Sequence, residues 1–327
     1  MNTHPTLAAP VADIAETQAE LTVIIVSYNT RALTLKCLET LYANTHRTRF
    51  HTVVLDNASA DGSAEAIAEA FPQVELIASE ENLGFAKANN VVAEAAQSEW
   101  LLLLNPDTEV YDGAIDALLD FSRAHPKAGL TGGRTFFPDG SLNPLSCQGQ
   151  ITLWSSLSRA LGLTAIFKKS AFFNPEAYGN WPRDTAREVD CIVGCFLMIP
   201  KALWDELGGF DLRYYMYGED SDLSLRAIER GYRPMICPDA RIMHLVGASS
   251  NVKAKKVVMV AKSRTTLIHD HWPAWKVPFG MATMWLWGAL RTATAVVMAL
   301  PPGETRRERA EKWRYIWAER SDWLTRY

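Results

Sequence analysis

Short apolar runs alternate with stretches of helical spacing along the first hundred residues. Leu21-Thr22-Val23-Ile24-Ile25-Val26 reads as a strand buried on both faces, and it ends in the polar Ser27-Tyr28-Asn29. Helical spacing follows from Leu33 to about Ala43, and a second strand, Thr52-Val53-Val54-Leu55, stops at Asp56-Asn57. Ala64 to Phe71 predicts another helix, with Ser63 as its N-cap. A third strand, Val74-Glu75-Leu76-Ile77, leads through Asn82-Leu83-Gly84-Phe85 into a helix reaching about Ala96. The fourth, Trp100 to Leu104, breaks off at Asn105-Pro106-Asp107.

Strands alternating with helices predict a parallel sheet with right-handed crossovers, whose ligands lie beyond the carboxyl ends of the strands. Ser27-Tyr28-Asn29, Asp56-Asn57 and Asn105-Pro106-Asp107 all fall at that edge. Any one of them is explained as well by an Asx turn or a helix cap; three on one edge point to a site. No Gly-x-Gly-x-x-Gly or Gly-x-x-x-x-Gly-Lys-Ser/Thr follows the first strand, so dinucleotide-binding and P-loop readings lose their main support. Further on, Glu219, Asp220 and Asp222 open a helix directly after Gly218. Burial and mutual repulsion raise carboxylate pKa values towards those of a general base, whereas simple complementarity to the helix dipole explains the cluster without any chemistry. Asp222 has a further alternative, an ion pair with Arg226 one turn on. His244, after a strand-like segment, is either a core imidazole or a metal ligand.

A chain of 327 residues with 48% hydrophobic content can bury one large α/β core and an appendage, and a net charge of −4 gives no reason to expect nucleic acid. Cys37, Cys147, Cys191, Cys195 and Cys237 form no Cys-x-x-Cys pair, as in a reduced cytosolic protein, and Cys191 and Cys195 read as packing. Residues 1–20 lack a basic start and an apolar core, and read as a disordered tail before a catalytic domain over 21–250.

Residues 251–327 are a different material. Between Lys253 and Arg291 seven Lys and Arg residues face Asp270 alone, interspersed with Trp272, Trp275, Phe279, Trp285 and Trp287. The apolar run Val277 to Leu300 approaches the ~20 residues of a bilayer span. Arg291 near its middle would cost about 2.5–3.5 kcal/mol there. Residence at an anionic membrane surface is therefore expected rather than spanning, with helices packed on the catalytic domain or on a second subunit as the alternative. Glu304 to Tyr327 reads as a charged final helix.

Six segments together resemble the inverting, GT-A-fold family 2 glycosyltransferases, most closely their rhamnosyltransferase-like branch in bacterial polysaccharide synthesis. They are Val26-Ser27-Tyr28-Asn29, Leu55 to Ser63, Asn82-Leu83-Gly84-Phe85-Ala86, Leu104-Asn105-Pro106-Asp107-Thr108, Asp190 with Gly194 to Met198, and Gly208 to Arg226. The resemblance covers roughly residues 21 to 250 and implies a Rossmann-like, mostly parallel sheet flanked by helices. It implies that a nucleotide diphosphate sugar lies across Ser27, Tyr28, Asn29, Asp56, Asn57, Gly84, Asn105 and Asp107, with Asp56 reading the base. Asn105-Pro106-Asp107 stands in the place of the family's Asp-x-Asp motif, so Asp107 would be the main carboxylate ligand of Mg²⁺ or Mn²⁺, completed by His244. Asp220 would deprotonate the acceptor hydroxyl with Glu219 as its catalytic neighbour, Glu219 and Asp222 being open also to a part in acceptor binding. The implied donor is dTDP-L-rhamnose, ahead of UDP-hexoses, UDP-galactofuranose or a GDP-sugar. The implied acceptor is polyprenol-linked or a polysaccharide, met peripherally at the cytoplasmic face of the cell membrane, with a homodimer as a further possibility. The competing readings are a catalytically silent scaffold of a polysaccharide assembly complex and a nucleotidyltransferase.

Overall fold

The computed structural model describes residues 19–214, 216–245, 253–301 and 303–327. Its strands are β1 (Leu21–Ser27), β2 (Phe50–Asp56), β3 (Glu75–Ala78), β4 (Trp100–Leu104), β5 (Thr108–Val110), β6 (Thr131–Phe136), β7 (Leu142–Asn143), β8 (Cys147–Gln148), β9 (Arg187–Glu188), β10 (Cys191–Ile192), β11 (Phe196–Pro200) and β12 (Met235–His244). Its helices are α1 (Arg31–Asn44), α2 (Ser63–Ala70), α3 (Gly84–Ala95), α4 (Ala114–Ala124), α5 (Leu153–Ala160), α6 (Leu163–Ile166), α7 (Lys201–Leu207), α8 (Glu219–Glu229), α9 (Lys253–His271), α10 (Val277–Met298), α11 (Glu304–Ala318) and α12 (Arg320–Trp323).

The main sheet runs β3-β2-β1-β4-β11-β6-β12-β5. The first four strands are parallel, β11 lies antiparallel between β4 and β6, and β12 returns parallel to β6. Because β2 and β4 flank β1 on opposite sides, the strand order reverses at β1, and in open α/β sheets such a switch point is where ligands bind beyond the carboxyl ends of the strands. Alternate residues of β1 feed two cores. Leu21, Val23 and Ile25 pack with Cys37, Leu38 and Leu41 of α1, while Ile24 joins Val53, Leu55 and the α3 residues Ala88 and Val92. Burial on both faces accounts for strands written as unbroken apolar runs.

The predicted order of elements is present with small shifts at the ends. Ser63 is not the cap of α2. The capping position is Gly62, at φ 74, a left-handed conformation that glycine adopts without strain, and the Ser63 hydroxyl bonds Asp61 from inside the helix. The charged final segment is broken at Glu319 into α11 and α12.

Helices α9 to α12 share a core of their own, with Val258, Ile268, Met284, Trp287, Ile316 and Trp323 buried together with Ala160 of α5. They also dock on the sheet domain. Arg264 of α9 makes two 2.8 Å bonds to Glu176, and His271 bridges Asp222 at 2.9 Å and Glu229 at 3.0 Å on α8. The indole of Trp272 donates to the Ile151 carbonyl and Trp287 is buried, whereas Trp275, Phe279 and Trp285 are exposed. Among the described residues no helix is long and apolar enough to cross a membrane. The expected tail over 1–20 lies almost entirely outside the described residues, as does the expected boundary near 250.

Candidate active site

The carboxyl edge of the sheet gathers most of the predicted residues. Asp220 is the second residue of α8, whose N-cap Gly218 has φ 97 and leaves no room for a side chain: a Cβ there would lie 2.9 Å from that of Ser263 and 3.1 Å from the Tyr214 ring. One carboxylate oxygen of Asp220 accepts from the Ser221 amide at 2.7 Å, and the other from the Gly194 amide at 3.1 Å. Burial raises its pKa, against the opposing pull of these bonds. Beside it Glu219 is only 6% exposed, its Oε2 has no hydrogen-bond partner among the described residues, and burial with the neighbouring Asp220 charge pushes its pKa up to about 8.

The loop that aims Asp220 also contacts the turn after β4. Cys195 follows Gly194, and its carbonyl accepts from the Asn105 amide at 3.1 Å. Two residues on, Asp107 Oδ1 lies 3.2 Å from Nε2 of His244, the last residue of β12, and the Asp107 carbonyl accepts from the Leu245 amide at 3.0 Å. Burial opposes protonation of His244, yet Cys195 and the Asp107 carboxylate lift its pKa to about 10. Cys195 is buried as expected, and it also neighbours this imidazole. A nearly buried carboxylate and imidazole, side by side, suit a divalent cation that would displace the proton now shared in this ion pair and take its remaining oxygens from a bound ligand and water. Among the described residues no cluster of three or more His, Cys, Asp or Glu side chains adds to the pair.

On the β1–β2 side, Asp56 is 3% exposed; its Oδ2 accepts from the Ser59 amide at 3.0 Å, while its Oδ1 is buried without a partner among the described residues. An orphaned carboxylate oxygen at a crevice is an acceptor awaiting a donor. Tyr28 stands exposed at the rim, and Asn29, at φ 51, fastens the loop after β1 to that after β2 by accepting from the Ala60 amide at 2.8 Å.

Two residues expected at the ligand have side chains that are hydrogen-bonded within the fold. Ser27 is fully buried, its hydroxyl held by Thr30 at 3.1 Å and Thr34 at 3.0 Å beneath α1. The Asn57 amide clamps the turn before α3: it donates to Asn82 Oδ1 and the Gly84 carbonyl and accepts from the Leu83 amide, which fixes Gly84 at the start of α3. Asp222, expected to take one of two roles, is in its ion pair with Arg226 at 2.7 Å and is shared with His271. The Gly194 amide was not singled out in sequence, nor was the closure of the site by α9, where the Ser263 hydroxyl donates to the Tyr217 carbonyl and the Lys256 ammonium lies 5.1 Å from the centre of the Tyr217 ring. Both depend on contacts across 26 residues or more, which no local pattern records.

Comparison with known proteins gives the family and the fold. The family described as "Glycosyl transferase family 2" matches residues 22–205. Over 277 residues the chain is 30% identical to N-acetylglucosaminyl-diphospho-decaprenol L-rhamnosyltransferase of Mycobacterium tuberculosis, covering 79% of this chain and 87% of that protein. Its fold is similar to that of a mannosyltransferase from Pyrobaculum calidifontis solved with GDP-Man and Mn²⁺, with TM-score 0.58, 18% identity, and coverage of 98% of this chain and 90% of the other. It is similar also to GalNAc-T7 solved with UDP, GalNAc and Mn²⁺, with TM-score 0.57, 15% identity, and coverage of 93% and 56%.

Proposed function

The chain belongs to glycosyl transferase family 2, and from that membership we propose that it is an inverting enzyme moving L-rhamnose from dTDP-rhamnose to a sugar carried on a polyprenyl diphosphate. The observation that carries the reading is the joining of Asp220 to the Asn105–Asp107 turn through Gly194 and Cys195, which supports a proton acceptor and a diphosphate-binding turn serving one site from opposite sides of the anomeric carbon. Asp56 Oδ1 accepts an imide N–H of the base, a need its orphaned state leaves open. Asp107 and His244 would hold Mg²⁺ or Mn²⁺, the cation supplying charge neutralisation for the departing diphosphate. Asp220 takes the proton of the acceptor hydroxyl as its oxygen bonds to the anomeric carbon; the carbon–phosphate oxygen bond breaks on the opposite face, and its electron pair leaves with dTDP. A single displacement inverts the anomeric centre. Exposed Trp275, Phe279 and Trp285 beside a basic stretch support peripheral attachment to the membrane that carries the acceptor.

The test is incubation with dTDP-rhamnose and a prenyl-diphospho-N-acetylglucosamine, with the product's anomeric configuration read by NMR and the released nucleotide by chromatography. An inverted rhamnoside with free dTDP is expected. Release of pyrophosphate supports the nucleotidyltransferase reading, and no turnover of any nucleotide sugar supports the silent scaffold.

A further inference from the structure

We infer that the chamber enclosed by α5, α9, α10 and α11 seats the acceptor's prenyl diphosphate, an inference that rests on the polyprenol-linked acceptor proposed above. The chamber is about 310 Å³ and has two kinds of wall. Arg159, Lys256, Arg264 and Lys312 supply positive charge, and no acidic residue lines it. Val260, Met284 and Trp287 supply an apolar surface.

Only Arg264 of these cations is in an ion pair among the described residues. Arg264 uses two nitrogens on Glu176, and its Nε is buried with no partner among the described residues. Arg159 forms no ion pair among the described residues, and the Arg264 charge together with burial pulls its pKa down to about 10. Glu176 lines a second cavity of about 190 Å³ that Arg159 also lines, and Arg264 and Arg159 overcome the effect of burial to hold its carboxyl near 2. Four cations around one cavity, only Arg264 of them ion-paired, favour a multivalent anion, and guanidinium groups bind phosphate in paired hydrogen bonds. The apolar half adds a requirement that inorganic phosphate or a nucleotide does not meet. A diphosphate head on a hydrocarbon tail satisfies both.

The chamber's position suits an acceptor whose sugar must reach Asp220. Lys256 lies over the ring of Tyr217, which only Gly218 separates from Glu219, and Ser263 of the same helix bonds the Tyr217 carbonyl. The helix that contributes Lys256 and Arg264 to the chamber therefore also packs on the loop carrying the proton acceptor.

The test is titration calorimetry of the full chain with farnesyl diphosphate, farnesol and inorganic pyrophosphate, for wild type, Arg159→Gln, Lys256→Gln and Val260→Trp, each checked by thermal melting. Farnesyl diphosphate is expected to bind at least about tenfold more tightly than either fragment, and both charge substitutions to weaken it about tenfold, with the KM for a prenyl-diphospho acceptor rising in step. Val260→Trp, which fills the apolar half and removes no charge, should weaken farnesyl diphosphate while pyrophosphate is unaffected. Equal affinity in wild type and all variants overturns the inference, as does pyrophosphate binding as tightly as farnesyl diphosphate. If farnesyl diphosphate binds with this dependence on Arg159 while no sugar reaches a prenyl-diphospho acceptor, the chamber stands and the proposed reaction falls.

Discussion

The Gly194 amide and the Asp220 carboxylate are joined by a 3.1 Å hydrogen bond that ties the loop before β11 to the first turn of α8. With its other oxygen held by the Ser221 amide, the carboxylate keeps its orientation when the site is empty, so its proton-accepting geometry is preset. Asp220→Asn retains the shape and loses the basicity. It should lower kcat by about 10²–10⁴-fold and leave dTDP affinity within a factor of about two. Equilibrium binding of dTDP beside single-turnover transfer checks this, and turnover within a few-fold of wild type would remove Asp220 from the role of base.

Glu219 gives a pH signature. Its folded pKa of about 8 exceeds the ordinary 4.5, through burial first and the Asp220 charge second, so between those values the folded chain binds more protons than the unfolded chain. Stability contributed by Glu219 therefore falls as pH rises through this window. Glu219→Gln cannot ionise, and its melting temperature should gain on wild type progressively from pH 5 to about 8. An inflection near pH 8 in the wild-type rate profile should vanish in the variant. A constant difference in melting temperature across the range would show that Glu219 does not hold a proton in the fold.

Asp107 and His244, 3.2 Å apart, should act as one ligand pair. Asp107→Ala and His244→Ala are each expected to raise the Mn²⁺ concentration for half-maximal activity by at least about tenfold, and the double variant by less than the product of the two effects. Metal titrations of activity, with nucleotide-dependent Mn²⁺ binding followed by electron paramagnetic resonance, measure both. Full wild-type activity in excess chelator would leave Asp107 as a loop residue only.

What the sequence made legible follows the range of the interactions. The strands of the first half are apolar runs ended by polar turns, and both features are local, so β1 to β4 and the residues at their ends are readable. Asp56 and His244 end β2 and β12, Asp107 lies in the turn after β4, and Asp220 is in the first turn of α8, positions that local pattern makes readable. Side-chain partners were not readable: Ser27 and Asn57 occupy the expected edge, and their hydroxyl and amide bond to the start of α1 and to the turn before α3. In the Trp-rich C-terminal stretch, which tryptophans are buried was not readable: α10 folds back on α5, α9 and α11 and buries Trp287 while leaving Trp285 outside.

His271 fastens α9 to α8 through Asp222 and Glu229, with Arg226 also on Asp222. Burial opposes its charge, but the Asp222 and Glu229 bonds raise its pKa above the ordinary 6.5. Its stabilising contribution is thus complete below that value and lost as pH rises through the folded pKa. The melting-temperature gap between wild type and His271→Ala should be widest in mildly acidic buffer and narrow towards alkaline pH. A gap that does not narrow would mean that packing rather than charge holds the joint.

Membrane attachment is best tested without truncation, because α9 braces Tyr217 beside the site and its removal would disturb the reaction itself. Trp275, Phe279 and Trp285 are 66%, 56% and 50% exposed, more than such side chains need be if they served only internal packing. Replacing all three by Ala removes insertion while leaving the basic residues that attract anionic lipid. Wild type should co-sediment with vesicles containing anionic lipid and detach partly as salt screens its Lys and Arg residues. The triple variant should bind at least about tenfold more weakly at every salt concentration, and its residual binding should vanish at high salt. If wild type instead stays in the supernatant under all conditions and elutes as a dimer that the triple variant dissolves, these aromatics form a subunit interface.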